Sequence, residues 1–140
     1  MKIVLDTNVL ISALLNSYGK PSKILKLIIM GRLEVVVNEN MLGEYHEVAM
    51  RPRFNLPPEL VKEVLGYIRT NGIPAPPYPG PSVNLPDPDD DFFLEAAIST
   101  GSGALVTGNI RHFPPKSRKG IRVLIPDQFI QYFEALDEQS

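Results

Sequence analysis

The stretch "KIVLDTNVLISALL", residues 2–15, changes character at one residue. "KIVL" is a short apolar run rich in β-branched side chains, which reads as a buried strand. From Thr7 onward Val9, Leu10, Ala13 and Leu14 recur at helical spacing. Asp6 stands at the junction. Uniformly apolar strands that alternate with helices imply a parallel sheet covered on both faces. Such a sheet holds ligands at the carboxyl ends of its strands. The polar residues that follow each strand are therefore the ones to inspect.

Working outward, Pro21 opens a second helix that Gly31 stops, and "LEVVV" (33–37) is a second strand. Asn38 can cap a third helix through residue 50, and Pro57 and Pro58 start a fourth that ends at Asn71-Gly72. Residues 73–87, "IPAPPYPGPSVNLPD", read as a stiff proline-rich connection with no folded element. A helix over "DFFLEAAIST", a strand "ALVTGN", a basic loop, a strand "IRVLI" and a last helix from Pro126 complete the chain. The expectation is an α/β domain spanning 1–140, since the residues after the proline-rich stretch supply too few elements for a core of their own.

Composition narrows the chemistry. With 140 residues, 44% hydrophobic and 21% charged, the chain has ordinary globular content, and its formal net charge is −2. Polyanion binding would need a local basic patch. The absence of cysteine excludes disulfides, thiolate metal sites and cysteine nucleophiles. Asp6 and Asn8 interrupt the first apolar stretch, so it is too polar for a signal-peptide core, and no run approaches the roughly 20 apolar residues of a membrane span. A soluble, cytoplasmic protein is expected.

Several carboxylates occupy informative positions. Asp6 reads equally well as a helix N-cap and as a site residue. Glu44 lies at the edge of the stripe formed by Met41, Leu42, Tyr45 and Val48, where rim carboxylates outnumber ligands. Thr107, Gly108 and Asn109 follow a strand and suit either an oxyanion site or a turn. In "DPDDDFFL" (87–94), Asp87 and Pro88 fit an N-cap and a first helical position, and Asp89, Asp90 and Asp91 fill the first turn. On the helical wheel Asp90 heads the buried face of Leu94, Ala97 and Ile98, Asp91 falls toward its edge, and Asp89 points away. A carboxylate there is costly unless it meets a cation or donors. Three carboxylates from separate elements at one sheet edge suggest Mg²⁺ or Mn²⁺, with water attack on a phosphodiester as the chemistry.

These residues, in this order, resemble the PIN-domain nucleases: "IVLDTNVLISALL", "MLGEYHEV", "DPDDDFFLEAA" and "LVTGNIRHF". The "DPDDDFFL" and "TGNIRHFP" forms resemble the branch related to VapC-type toxins of toxin–antitoxin pairs. The resemblance implies a three-layer α/β/α fold with a central parallel sheet and a Mg²⁺- or Mn²⁺-dependent endoribonuclease acting on single-stranded RNA. It also implies a cognate antitoxin and a homodimer. Asp6, Glu44 and Asp90 match the family's acids, with Asp91 the alternative to Asp90 if the register shifts by one. Asn109 stands where many members carry a fourth aspartate, which weakens a second metal position. Thr107 matches the family's site hydroxyl, and Asn8 the residue that braces the first loop.

Arg111, His112, Lys116, Arg118, Lys119 and Arg122 form a local basic segment next to these acids, suited to phosphate or to plain solvation. His112 is expected to be structural or to contact phosphate. Arg51 and Arg53 could meet phosphate or a partner subunit. Three other readings compete. A haloacid-dehalogenase-type phosphohydrolase wants an aspartate where Asn8 stands, and a receiver-type phosphoacceptor wants one where Asn38 stands. A catalytically weak PIN-fold module that only binds RNA or protein stays open because of Asn109.

Overall fold

The computed structural model describes residues 1–139. Its five strands are β1 (Lys2–Leu5), β2 (Glu34–Val37), β3 (Ile73–Pro74), β4 (Ala104–Val106) and β5 (Val123–Leu124). They form one parallel sheet in the order β3-β2-β1-β4-β5. The six α-helices are α1 (Thr7–Leu15), α2 (Lys20–Ile29), α3 (Glu39–Ala49), α4 (Pro58–Asn71), α5 (Asp91–Thr100) and α6 (Pro126–Gln139). Crossovers between parallel strands are right-handed. The helices joining β1, β2 and β3 therefore lie on one face. α5, which returns across the sheet to β4, covers the other, packing on β1, β2 and β4. This is the expected three-layer α/β/α architecture. No helix among the described residues is long and apolar enough to cross a membrane.

β1 and β4 are buried almost end to end, which is why neither shows the apolar/polar alternation of a half-exposed strand. The core around them includes Leu5, Leu10, Ile24, Met41, Tyr45, Phe93, Leu94, Phe113 and Phe129. Strand order reverses between β1 and β4: the chain runs outward to β3 on one side and to β5 on the other. Ligand crevices open at such a reversal, beyond the carboxyl ends of the strands. Asp6 and Thr107 are the residues that follow β1 and β4, and they flank it.

Two sequence readings change here. The proline-rich connection begins with a strand. Ile73 and Pro74 pair with Val36 and Val37, and the Ala75 amide donates to the Val37 carbonyl at 2.9 Å. Proline is tolerated because β3 is an edge strand. Further along, Val83 and Leu85 are buried, so this segment is docked onto the core rather than being a bare spacer. The second change concerns the acidic run. Asp87 caps a 3₁₀ turn over Pro88–Asp90 by accepting the Asp89 amide at 2.9 Å, and α5 begins only at Asp91. Asp90 thus stands just ahead of the helix, where it lines the crevice.

Candidate active site

At the carboxyl end of β1, Asp6 caps helix α1 and also lines a cleft. Its Oδ1 accepts the Thr7 amide at 2.8 Å at the start of α1. Its Oδ2 accepts the Thr107 hydroxyl at 2.7 Å and the Asn8 amide nitrogen at 3.3 Å. Only 4% of Asp6 is exposed. Burial raises its pKa, against the opposing effects of Thr107, Thr7, His112 and Asn8. Of the two sequence alternatives, the helix cap is observed, and the cap leaves Oδ2 facing Thr107 and Asn8.

Glu44 reaches the same place from α3. Tyr45, the next residue, is fully buried and donates its hydroxyl to the Leu5 carbonyl at 2.5 Å, which ties α3 to the end of β1. The Thr7 hydroxyl then donates to Glu44 Oε2. Burial raises the Glu44 pKa, the Thr7 bond opposes it, and the charges of Asp6 and Asp89 add to the rise. Thr7 lines the same cleft, and sequence reasoning passed over it. Its only signal was a hydroxyl directly after the first acid.

Asp90 arrives from the turn before α5. Its carboxyl pKa is pushed up to about 6, first by burial and then by the Asp6 charge, with His112 pulling the other way. His112 Nδ1 lies 3.1 Å from Asp90 Oδ2, yet that oxygen is buried without a hydrogen-bond donor. No hydrogen bond joins the two atoms, and the contact is an ion pair only when the imidazole is protonated. On its other side His112 Nε2 meets the Asn109 amide nitrogen at 2.9 Å. Asn109, the ring and Asp90 form a continuous chain.

The remaining candidates separate into several groups. Thr107 is fully buried, and its hydroxyl both donates to Asp6 and accepts the Asn109 amide at 3.0 Å, so it braces the first acid. Asn8 accepts the Gly108 amide at 2.8 Å and joins the loops after β1 and β4. A Cβ on Gly108 would sit 3.1 Å from the Asn8 carbonyl oxygen, a close approach that suits glycine. Asp91 is not brought to the acids: it accepts the Ser82 hydroxyl at 3.2 Å and the Leu85 amide at 3.3 Å, docking the proline-rich segment. Arg118 is committed to the Phe113 carbonyl at 2.7 Å, and Arg122 stacks on Tyr132 at 4.2 Å. Arg111, Lys116 and Lys119 are exposed on the loop after β4.

Asp6, Glu44, Asp90, Asn8 and His112 line one cleft of about 390 Å³ together with Thr7. A larger groove, about 630 Å³, runs between α3 and α4, but its Glu39 is paired with Arg69 at 2.7 Å and no carboxylates converge there. Chemistry, more than size, points to the first cleft. Among the described residues no three His, Cys, Asp or Glu side chains stand as a preformed metal-ligand set. The three acids converge without closing on one point.

A family model described as PIN domain matches residues 2–111, and the chain belongs to the PIN-domain family. The matched span runs from β1 through Asn109 and Arg111, and so contains all three acids. Its fold is that of the PIN nucleases. No curated protein matches the chain significantly.

Proposed function

We propose that this chain is a Mg²⁺- or Mn²⁺-dependent endoribonuclease that hydrolyses phosphodiester bonds of single-stranded RNA. The observation that carries the reading is the convergence of Asp6, Glu44 and Asp90, each with a raised pKa, at the crevice where the strand order reverses. Perturbed carboxylates gathered in a cleft favour function over stability. Family membership supports a nuclease on independent grounds.

The donor set fits a hard cation. It is made of carboxylate oxygens, and Asp90 Oδ2 is buried with no hydrogen-bond donor to satisfy it. Asp6, Glu44 and Asp90 are the residues that would hold the ion. Bound there, a divalent ion would offset the mutual repulsion of the acids and would supply Lewis-acid chemistry, acidifying water and neutralising charge on phosphate.

The chain's own residues do the rest. Thr107, Thr7 and Asn8 fix Asp6, so one carboxylate is rigid before substrate arrives. Thr7 also couples Asp6 to Glu44 across the β1–α1 junction. His112 stands beside Asp90 and, when protonated, offers a cation to a phosphate oxygen at the rim. Arg111 and Lys116, exposed on the same loop, neutralise flanking phosphates. In the reaction a water oxygen bonds to phosphorus and gives up one proton to solvent, while the bond from phosphorus to one ribose oxygen breaks and that departing oxygen takes up one proton, so the protons balance.

The resemblance of "DPDDDFFL" and "TGNIRHFP" to VapC-related sequences supports a cytoplasmic toxin role, with a cognate antitoxin and a homodimer as partners. A second reading, a PIN-fold module that binds RNA or protein with little catalysis, is favoured by one observation. Asn109 replaces an acid, and its amide is engaged by His112.

Cleavage of single-stranded RNA with Mg²⁺ or Mn²⁺, wild type against Asp6→Asn, tests the choice. Metal-dependent cleavage that the substitution abolishes supports the nuclease. No metal-dependent cleavage across a panel of RNAs favours the binding module. A gene for a small DNA-binding protein encoded next to this one supports the toxin role.

A further inference from the structure

The acids fill only one end of their cleft. The other end is apolar: Ile11 and Leu15 of α1, Val48 of α3, and Phe54 of the 3₁₀ turn Pro52–Phe54 line it, with Arg53 beside them. The spacing follows from helix geometry. Ile11 is one turn beyond Thr7, and Val48 is one turn beyond Glu44, so each helix carries an apolar side chain about 6 Å along its axis from the acid end. That offset is about the reach from a phosphate, across its ribose, to the base.

The 3₁₀ turn is a stiff platform. Pro52 opens it, Asn55 closes it in the left-handed conformation at φ 48°, and Pro57 and Pro58 follow. Phe54 packs on the small cluster of Ile11, Ala49 and Val61 and stays partly exposed toward the cleft. The Arg53 guanidinium lies 4.8 Å from the Phe54 ring centre. The two arginines that were equivalent in sequence differ here: Arg51 is paired with Glu47 at 3.1 Å, whereas Arg53 lines the cleft.

We infer that this shelf is a nucleobase subsite, in which a base next to the scissile phosphate packs on Phe54 and the apolar walls while Arg53 stacks on it or meets its phosphate. Aromatic and guanidinium planes accept any base, because every base has a π face. The inference deepens the nuclease reading by naming unpaired bases as part of what the site recognises.

The test compares binding of fluorescein-labelled hexa-adenylate with that of an abasic ribose-phosphate hexamer of equal charge. Anisotropy is read at low salt in EDTA, where hydrolysis does not interfere. Wild type is expected to prefer the base-bearing strand about tenfold. Phe54→Leu, which keeps apolar packing, is expected to reduce that preference to within about twofold, and Phe54→Tyr to retain it. Arg53→Gln, at an exposed position, is expected to weaken hexa-adenylate binding with no change in unfolding temperature. Equal binding of both strands by wild type, or a preference unchanged in Phe54→Leu, overturns the subsite. A wild-type dimer that these substitutions dissociate without altering RNA binding assigns the shelf to protein contact and also overturns it. Ring-dependent binding without hydrolysis in Mg²⁺ or Mn²⁺ upholds the subsite and defeats only the nuclease reading.

Discussion

The Thr107 hydroxyl donates to Asp6 Oδ2 at 2.7 Å from a fully buried position at the end of the neighbouring strand. Thr107 Oγ1 itself accepts the Asn109 backbone amide at 3.0 Å. One side chain thus sets the position of the first acid and the start of the loop that carries His112.

Thr107→Val keeps the side chain's shape and removes both bonds. Leaving the buried Asp6 carboxylate without this donor costs about 1–3 kcal/mol, so the variant should unfold at lower urea. Hydrolysis should drop by tenfold or more, because Asp6 loses its firmest brace, whereas Thr107→Ser should keep most of it. Urea midpoints and single-turnover rates check this. Full activity in the valine variant would refute the bracing role.

Asp90 makes the metal-free protein sensitive to pH. Its pKa is about 6 against an ordinary 3.8, so the folded state holds this proton more tightly than the unfolded state does. Its contribution is fully present below 3.8 and is lost as pH rises through about 6. Asp6 and Glu44, also raised, act in the same direction. In EDTA the unfolding temperature should therefore fall from pH 4.5 to pH 6.5, with a gentler slope in Asp90→Asn. Equal slopes for the two proteins in calorimetry would sink this account.

A divalent ion should reverse the same penalty at neutral pH. An ion that binds only the folded state stabilises it by about 2.7 kcal/mol at a hundred times its Kd. Mn²⁺ should accordingly raise the unfolding temperature of wild type at pH 7.5 and take up fewer degrees of shift as pH falls to 5. Asp90→Asn should lose most of the effect. An identical Mn²⁺ shift in Asp6→Asn, Glu44→Gln and Asp90→Asn would place the ion elsewhere.

How legible this was depends on where each residue takes its constraint. β1, β2 and β4 are buried on both faces, so their apolar runs were readable, and the parallel sheet with its site edge followed from them. β3 was not readable: two residues, one of them proline, carry no pattern, and only pairing with Val36 and Val37 makes them a strand. Asp90 is less exposed than Asp89, as the helical wheel expected, but it lies in the 3₁₀ turn ahead of α5 and not on the helix the wheel assumed. The wheel could not separate Asp91 from a ligand, since Asp91 is occupied by Ser82 and Leu85, contacts that chain spacing does not reveal. Arg51 and Arg53 were indistinguishable for the same reason. Their roles are set by Glu47 and Phe54, through the direction each side chain takes from a proline-bound turn.

The basic loop after β4 divides into residues that hold the protein and residues available to substrate. Arg118 donates to the Phe113 carbonyl at 2.7 Å beneath the loop, so Arg118→Ala should cost about 1 kcal/mol of stability through that bond. Arg111 and Lys116 are exposed, and Arg111→Ala or Lys116→Ala should leave the unfolding temperature nearly unchanged. If they contact phosphates, each removal should lower the slope of log binding constant against log salt by about 0.7, the value for a single strand. Anisotropy titrations of hexa-adenylate across a salt series separate the two groups. A salt slope that both exposed substitutions leave unchanged would remove the loop from the RNA path and confine recognition to the acids and the shelf.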